Sequence, residues 1–163
     1  YFSENSYKVS IKIHNSGDVD IIKRIQDILV SVQKDVIVLY GDTISNVDMN
    51  DLISHHRISS KQITMTVWPL KIAYGLVEIA EDGMVESFAE KPILDKWINI
   101  GYFYVNICYR DFILSHNSFE SFLIDAANRK SINTYKHQGL HITVNTLSEL
   151  EEAQYNIKRV MKD

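Results

Sequence analysis

The sequence predicts an α/β fold, and three observations carry that prediction. Strand-like and helix-like patterns alternate along the 163 residues. The run Val36-Ile37-Val38-Leu39-Tyr40 is continuously apolar, as in a strand buried on both faces. Glu81-Asp82-Gly83 separates two strand-like runs, which is a hairpin signal. The length and the 45% apolar content suit a single domain over residues 1–163. No repeat, low-complexity stretch or linker interrupts it.

Tyr7 to Ile13 alternates polar and apolar residues, as a half-exposed strand does. Ile21, Ile22, Ile25, Ile28 and Leu29 recur at helical spacing and predict an amphipathic helix over Val19 to Val32, with Asp18 as its N-cap. The Val36 to Tyr40 strand follows, then a helix over Met49 to Ile58 capped by Asp48. Ile63 to Trp68 is rich in β-branched residues and is expected to stop at Pro69. Tyr74 to Ala80 and Met84 to Ala89 form the hairpin, and Asn99 to Asn106 is a further strand. Helical patterns cover Tyr109 to Ser115 and Phe119 to Lys130, with a strand over Ile132 to Lys136 and a closing helix over Leu147 to Lys162.

Composition excludes several classes. A net charge of -4 argues against a non-specific nucleic-acid binder, so no nucleic-acid partner is expected. No apolar segment approaches the length of a membrane span, and no membrane partner is expected. Cys108 is the single cysteine, which rules out a disulfide framework or a cysteine zinc site within the chain. It reads as a buried or half-buried thiol in a reducing, cytoplasmic setting. His55 and His56 are adjacent on a helix and face about 100° apart, so they do not share an ion easily. There is no nucleophile-elbow serine, no P-loop and no dinucleotide fingerprint.

Four places can carry chemistry. Gly41-Asp42 sets a carboxylate just past the carboxyl end of a strand, where α/β sheets bind ligands and where an acid can hold Mg²⁺ against phosphates. On that run alone, a turn or capping Asp is the plainer reading. In Glu90-Lys91-Pro92 the proline biases Lys91 toward an extended conformation that points an ammonium outward; a solvated surface lysine is the alternative. Asn99, two residues before Gly101, offers an amide that suits sugar hydroxyls or an ordinary strand start. Tyr74-Gly75 allows backbone approach to a ligand, or is a simple bulge.

Taken in order, these pieces resemble the sugar-1-phosphate nucleotidyltransferases. The ordered motifs are Tyr40-Gly41-Asp42 with Val47-Asp48, Tyr74-Gly75, Glu90-Lys91-Pro92, Trp97-Ile98-Asn99-x-Gly101, Phe119-Glu120-x-x-Leu123, Tyr135-Lys136-His137-x-Gly139 and Asn145-Thr146-Leu147. The resemblance implies a Rossmann-like three-layer αβα fold with a mixed, mostly parallel sheet and a small β-hairpin insertion. It implies an enzyme that joins a nucleoside triphosphate to a sugar 1-phosphate and releases pyrophosphate, with Mg²⁺ as cofactor, and it leans toward glucose 1-phosphate and CTP. By motif match, Asp42 would hold Mg²⁺ and Lys91 would bind the sugar phosphate. Glu90 and Asn99 would contact sugar hydroxyls, and the backbones of Gly41 and Gly75 would line the substrate pocket.

Three departures accompany the likeness. The family's glycine-rich G-x-G-T-R loop is absent, so the chain is expected to lack the amino-terminal part of the fold and to bind nucleotide poorly. The sheet edge so exposed would call for a partner, such as a second subunit of a homo-oligomer. Asp18-Val19-Asp20 stands where relatives carry small and hydroxyl residues. Asn145 stands where a second metal-binding Asp is expected, and an amide is a weaker Mg²⁺ ligand than a carboxylate. A catalytically degenerate sugar-phosphate or nucleotide-binding relative, with a regulatory or assembly role, is the alternative.

Overall fold

A computed structural model describes residues 10–160. Its centre is a four-stranded sheet in the order β1-β6-β3-β7, where β1 is Val36–Leu39, β3 Ile63–Lys71, β6 Ile93–Val105 and β7 Ile132–Lys136. β6 is antiparallel to both β1 and β3, and β3 is parallel to β7. Three strands therefore run one way, but only β3 and β7 are parallel neighbours, because β6 intervenes in the opposite sense. The expected mostly parallel sheet is corrected to that extent. Two small ribbons stand apart: β2 (Thr43–Ser45) with β8 (His141–Thr143), and β4 (Leu76–Ile79) with β5 (Val85–Ala89).

Helices lie on both faces. On one, α1 (Ile21–Leu29), α3 (Arg110–Leu114) and α4 (Phe119–Asn128) pack Ile22, Leu29, Ile113, Phe122 and Ala126 onto Ile63, Phe103 and Val105. Each fully buried Ile, Leu or Phe contributes roughly 1.5–3 kcal/mol, so Ile22 and Leu29 are what dock α1. Gln26 ties it further, its Nε2 donating to the carbonyls of Ile113 (3.0 Å) and His116 (2.8 Å). On the other face, α2 (Met49–Ile58) joins Leu52 and the preceding Val47 to Ile100 and Tyr102. The chain closes on α5 (Leu147–Val160). No helix among the described residues is long and apolar enough to cross a membrane.

Several expectations are corrected by the tertiary context. Residues 10–13 form no strand, and Tyr7 to Val9 lie outside the described residues. The α1 cap is Asp20 rather than Asp18, its carboxylate accepting from the Ile22 N–H at 2.8 Å. β1 is only half-buried, because β6 is its single neighbour. A groove of about 720 Å³ runs along its open edge, walled by Ile21, Ile25, Ile28 and Leu29 of α1. β3 continues through Pro69 to Lys71: beyond Val67 it has lost β7 as a neighbour, so the missing N–H of proline is tolerated at an edge. Cys108 is exposed in a short 3₁₀ turn, not buried. Asp48 caps α2 as expected, accepting from the N–H groups of Asn50 and Asp51.

Candidate functional site

The co-directional strands β1, β3 and β7 end toward the same side of the sheet; Asp42, Asn145 and Asn99 lie by the end of β1, and Gly75, Glu90 and Lys91 lie further out, past the end of β3. β1 runs into Tyr40, whose N–H donates to the Gly101 carbonyl at 3.0 Å, and the chain then turns through Gly41-Asp42 into β2. The Asp42 side chain is exposed and accepts from the Thr43 hydroxyl at 3.1 Å. Its carbonyl accepts from the Val144 N–H at 2.8 Å, which brings the start of the Asn145 segment alongside it. Gly41 is exposed, with open space around the position of a side chain.

Asn145 is exposed and is set by the first turn of α5. The Glu149 carboxylate accepts from the N–H groups of Asn145 (2.7 Å) and Thr146 (2.9 Å), while the Thr146 hydroxyl accepts from the Glu149 N–H at 3.2 Å. This is a capping box. The Asn145 N–H is the main reason the Glu149 carboxyl is held below its usual range. Glu149 is thus engaged as a cap. Among the described residues no group of three His, Cys, Asp or Glu side chains could enclose a metal. Mg²⁺ needs only one or two carboxylates when phosphates complete its shell, and Asp42 fits that lesser requirement.

Asn99 sits on β6 level with the end of β1. Its Oδ1 accepts from the Gly101 N–H at 2.9 Å and its Nδ2 lies 3.5 Å from the Tyr40 phenol oxygen. Gly101 has φ +77° and marks a bulge opposite Thr66 of β3, and a Cβ there would overlap the Tyr40 ring. Tyr40 in turn packs on Phe103 and Phe119. Its phenol is pushed above its ordinary pKa, first by burial; the Asn99 hydrogen bond opposes this and the Asp42 charge adds to it. Tyr40 thereby links Asn99 to Asp42.

The remaining residues form a second rim. Gly75, Glu90 and Lys91 come together because the Ile72 N–H donates to the Pro92 carbonyl at 3.0 Å. A Cβ on Gly75 would lie 2.6 Å from the Phe88 ring and 3.3 Å from Glu90 Oε2, so a side chain here would push the exposed Phe88 ring aside. Lys91 corrects an expectation: it is not extended but has φ +45°, in the left-handed region that non-glycine residues seldom enter. Strain of that kind clusters at ligand sites. The structure shows no direct contact from this rim to Asp42 or Asn99.

Sequence reasoning assigned no role to Tyr40, Trp97 or Lys136. Lys136, at the end of β7, holds its Nζ 4.9 Å from the centre of the Trp97 ring. Trp97 and Lys136 both stand in the ordered motifs, but only cross-strand register shows that they meet.

The fold is an α/β class with a mixed sheet and helices on both faces, and comparison makes the class specific. A family model described as "Nucleotidyl transferase" matches residues 3–146. The chain belongs to the nucleotidyl transferase family. It is 29% identical over 116 residues to the "Probable glucose-1-phosphate cytidylyltransferase" of Bacillus subtilis, covering 69% of this chain and 45% of that protein. It is 36% identical over 63 residues to the glucose-1-phosphate adenylyltransferase of Thermomicrobium roseum, covering 36% and 15%. Among solved structures, HddC from Yersinia pseudotuberculosis superposes with a TM-score of 0.60 at 18% identity, over 88% of this chain and 64% of that one. The chain thus spans less than half the length of these curated relatives.

Proposed function

We propose that this chain carries the sugar-phosphate side of a sugar-1-phosphate nucleotidyltransferase site. The observation that supports this best is that Asp42 and Asn99 lie by the end of β1 while Gly75, Glu90 and Lys91 lie past the end of β3, in the order the family motifs have. In the reaction, a phosphate oxygen of the sugar 1-phosphate attacks the α-phosphorus of a nucleoside triphosphate. The bond between α-phosphorus and the bridging oxygen breaks, and pyrophosphate leaves.

The attacking oxygen is already anionic at neutral pH, so no strong general base is needed. Positioning and charge neutralisation supply the acceleration. Lys91 neutralises the sugar phosphate. Glu90 and Asn99 orient sugar hydroxyls, with the backbones of Gly41 and Gly75 against the ligand. Asp42 would hold Mg²⁺, whose chemistry is to neutralise phosphate charge, with Asn145 as a weaker neutral partner. We read the two helical faces as the outer layers of a Rossmann-like three-layer fold. The open edge of β1 is then where further strands or a second subunit complete the sheet, in a cytoplasmic enzyme of nucleotide-sugar and polysaccharide synthesis.

Calorimetry on the full-length protein tests the ligand claim. Binding of a sugar 1-phosphate that weakens in Lys91→Met supports it; absence of binding to any sugar phosphate contradicts it. A second reading has one observation in its favour, the neutral Asn145 beside Asp42: a degenerate relative that binds sugar phosphate or nucleotide without turnover. A full-length protein that binds both substrates yet releases no pyrophosphate would select that reading.

A further inference from the structure

The row of side chains Asn99, Val67 and Lys136 crosses three strands on one face. Val67 of β3 is in register with Asn99 of β6 on one side and with Lys136 of β7 on the other. Adjacent strands lie about 4.8 Å apart, so the Asn99 and Lys136 backbones are separated by roughly 10 Å. Trp97, two residues before Asn99 on the same strand, shares this face and pairs with Pro69. Trp97 is 37% exposed, which leaves it able to touch a ligand.

Lys136 is exposed and has no carboxylate partner among the ion pairs of the described residues, in a chain whose net charge is -4. Its ammonium rests on the Trp97 ring at 4.9 Å. A cation–π contact at an exposed ring is weak, and a charge-assisted hydrogen bond to a phosphate oxygen is stronger, so an arriving phosphate draws the ammonium off the ring. The vacated indole face is then free to pack on the C–H face of a sugar. A purely structural lysine would give neither consequence.

We propose that Lys136 is a phosphate-binding residue, a cation in addition to Lys91, and that Trp97 is the surface against which the sugar of a sugar 1-phosphate packs once Lys136 moves. The inference rests on the sugar-phosphate reading above and adds two residues to it. Ring stacking and a second cation would favour a pyranose 1-phosphate over the free sugar or over inorganic phosphate alone.

The test is calorimetry on the full-length protein with glucose, galactose and mannose 1-phosphates, comparing wild type, Lys136→Met, Lys136→Arg and Lys91→Met. Tryptophan fluorescence is followed in a Trp68→Phe background. Lys136→Met should weaken binding of the accepted sugar phosphate about tenfold or more, the scale of a lost charge-assisted hydrogen bond, and Lys136→Arg should recover most of it. Ligand should also change the Trp97 emission in the wild type and much less in Lys136→Met. Wild-type affinity in both Lys136 variants, with loss in Lys91→Met, would overturn this inference while leaving the sugar-phosphate reading intact. No binding of any of the three by the wild type would overturn both.

Discussion

Tyr40 lies across Gly101, close enough that no side chain fits at residue 101. The same glycine has φ +77° and makes the β6 bulge opposite β3, and its N–H donates to Asn99 Oδ1 at 2.9 Å. One backbone feature thus fixes the phenol next to Asp42 and the amide assigned to the sugar. Gly101→Ala meets both the positive φ and the ring, and should destabilise the protein by about 2–4 kcal/mol. Denaturant midpoints measure this. Loss of less than about 0.5 kcal/mol, the range of ordinary surface changes, would show that the Tyr40–Gly101 packing is dispensable.

Lys91 separates strain from function. Its φ of +45° costs something that glycine does not pay in the folded state, so Lys91→Gly should cost little stability or raise it by up to about 1 kcal/mol. Lys91→Ala keeps the strain. Both remove the ammonium and should weaken sugar-phosphate binding alike. Thermal melts and calorimetry on the pair decide it: a Gly variant clearly less stable than the Ala variant would argue against a strained Lys91.

Asn145→Asp should increase Mg²⁺ affinity by adding a carboxylate beside Asp42. The new charge stands next to the Glu149 carboxylate but also at the amino end of α5, where the helix dipole favours an anion, so the two effects oppose and stability should change little. Titration of Mg²⁺ dependence in wild type and variant checks this. An unchanged requirement for Mg²⁺ would show that residue 145 does not reach the metal.

His56 sets a pH dependence. It is buried at 5% exposure, its Nδ1 lies 2.8 Å from the Thr64 hydroxyl and its ring stacks on Tyr104. Burial holds its pKa below the ordinary 6.5; Asp35 opposes this and His55 adds to it. Burial also lowers His141, helped by His137. With both lowered, the unfolded chain binds more protons than the folded one below about pH 6.5. Stability from these groups is therefore complete above that pH and is lost as pH falls through the folded values. Denaturant midpoints at pH 7.5 and 5.5 should fall on acidification, and by less in His56→Gln. An equal drop in the variant would assign the effect elsewhere.

Much of this arrangement was legible in the residues. The α2 helix with its Asp48 cap and the β7 strand matched their predicted bounds, because a local cap and a β-branched start need no distant partner. The strand at Val36–Leu39 stands where the apolar run predicts it but is less buried than that run implies, since apolar content says nothing of how many neighbours a strand has. Pro69 does not stop β3 because whether a proline stops a strand depends on whether β7 is still alongside. The left-handed Lys91 and the meeting of Lys136 with Trp97 depend on long-range register, which local spacing does not encode. Asp42 and Asn145 were placed in order by motif, and the β2–β8 ribbon supplies the reason they come near each other.

The central claim is that Asp42 serves nucleotidyl transfer. Its most direct test is pyrophosphate release by the full-length protein, with Mg²⁺, CTP or another triphosphate, and a panel of sugar 1-phosphates, in wild type and Asp42→Asn. The account predicts release with at least one pair and a loss of about 100-fold or more in the variant, the scale of a removed electrostatic contributor at a phosphoryl centre. Release that is unchanged in Asp42→Asn, or absent with every pair in the wild type, would contradict it.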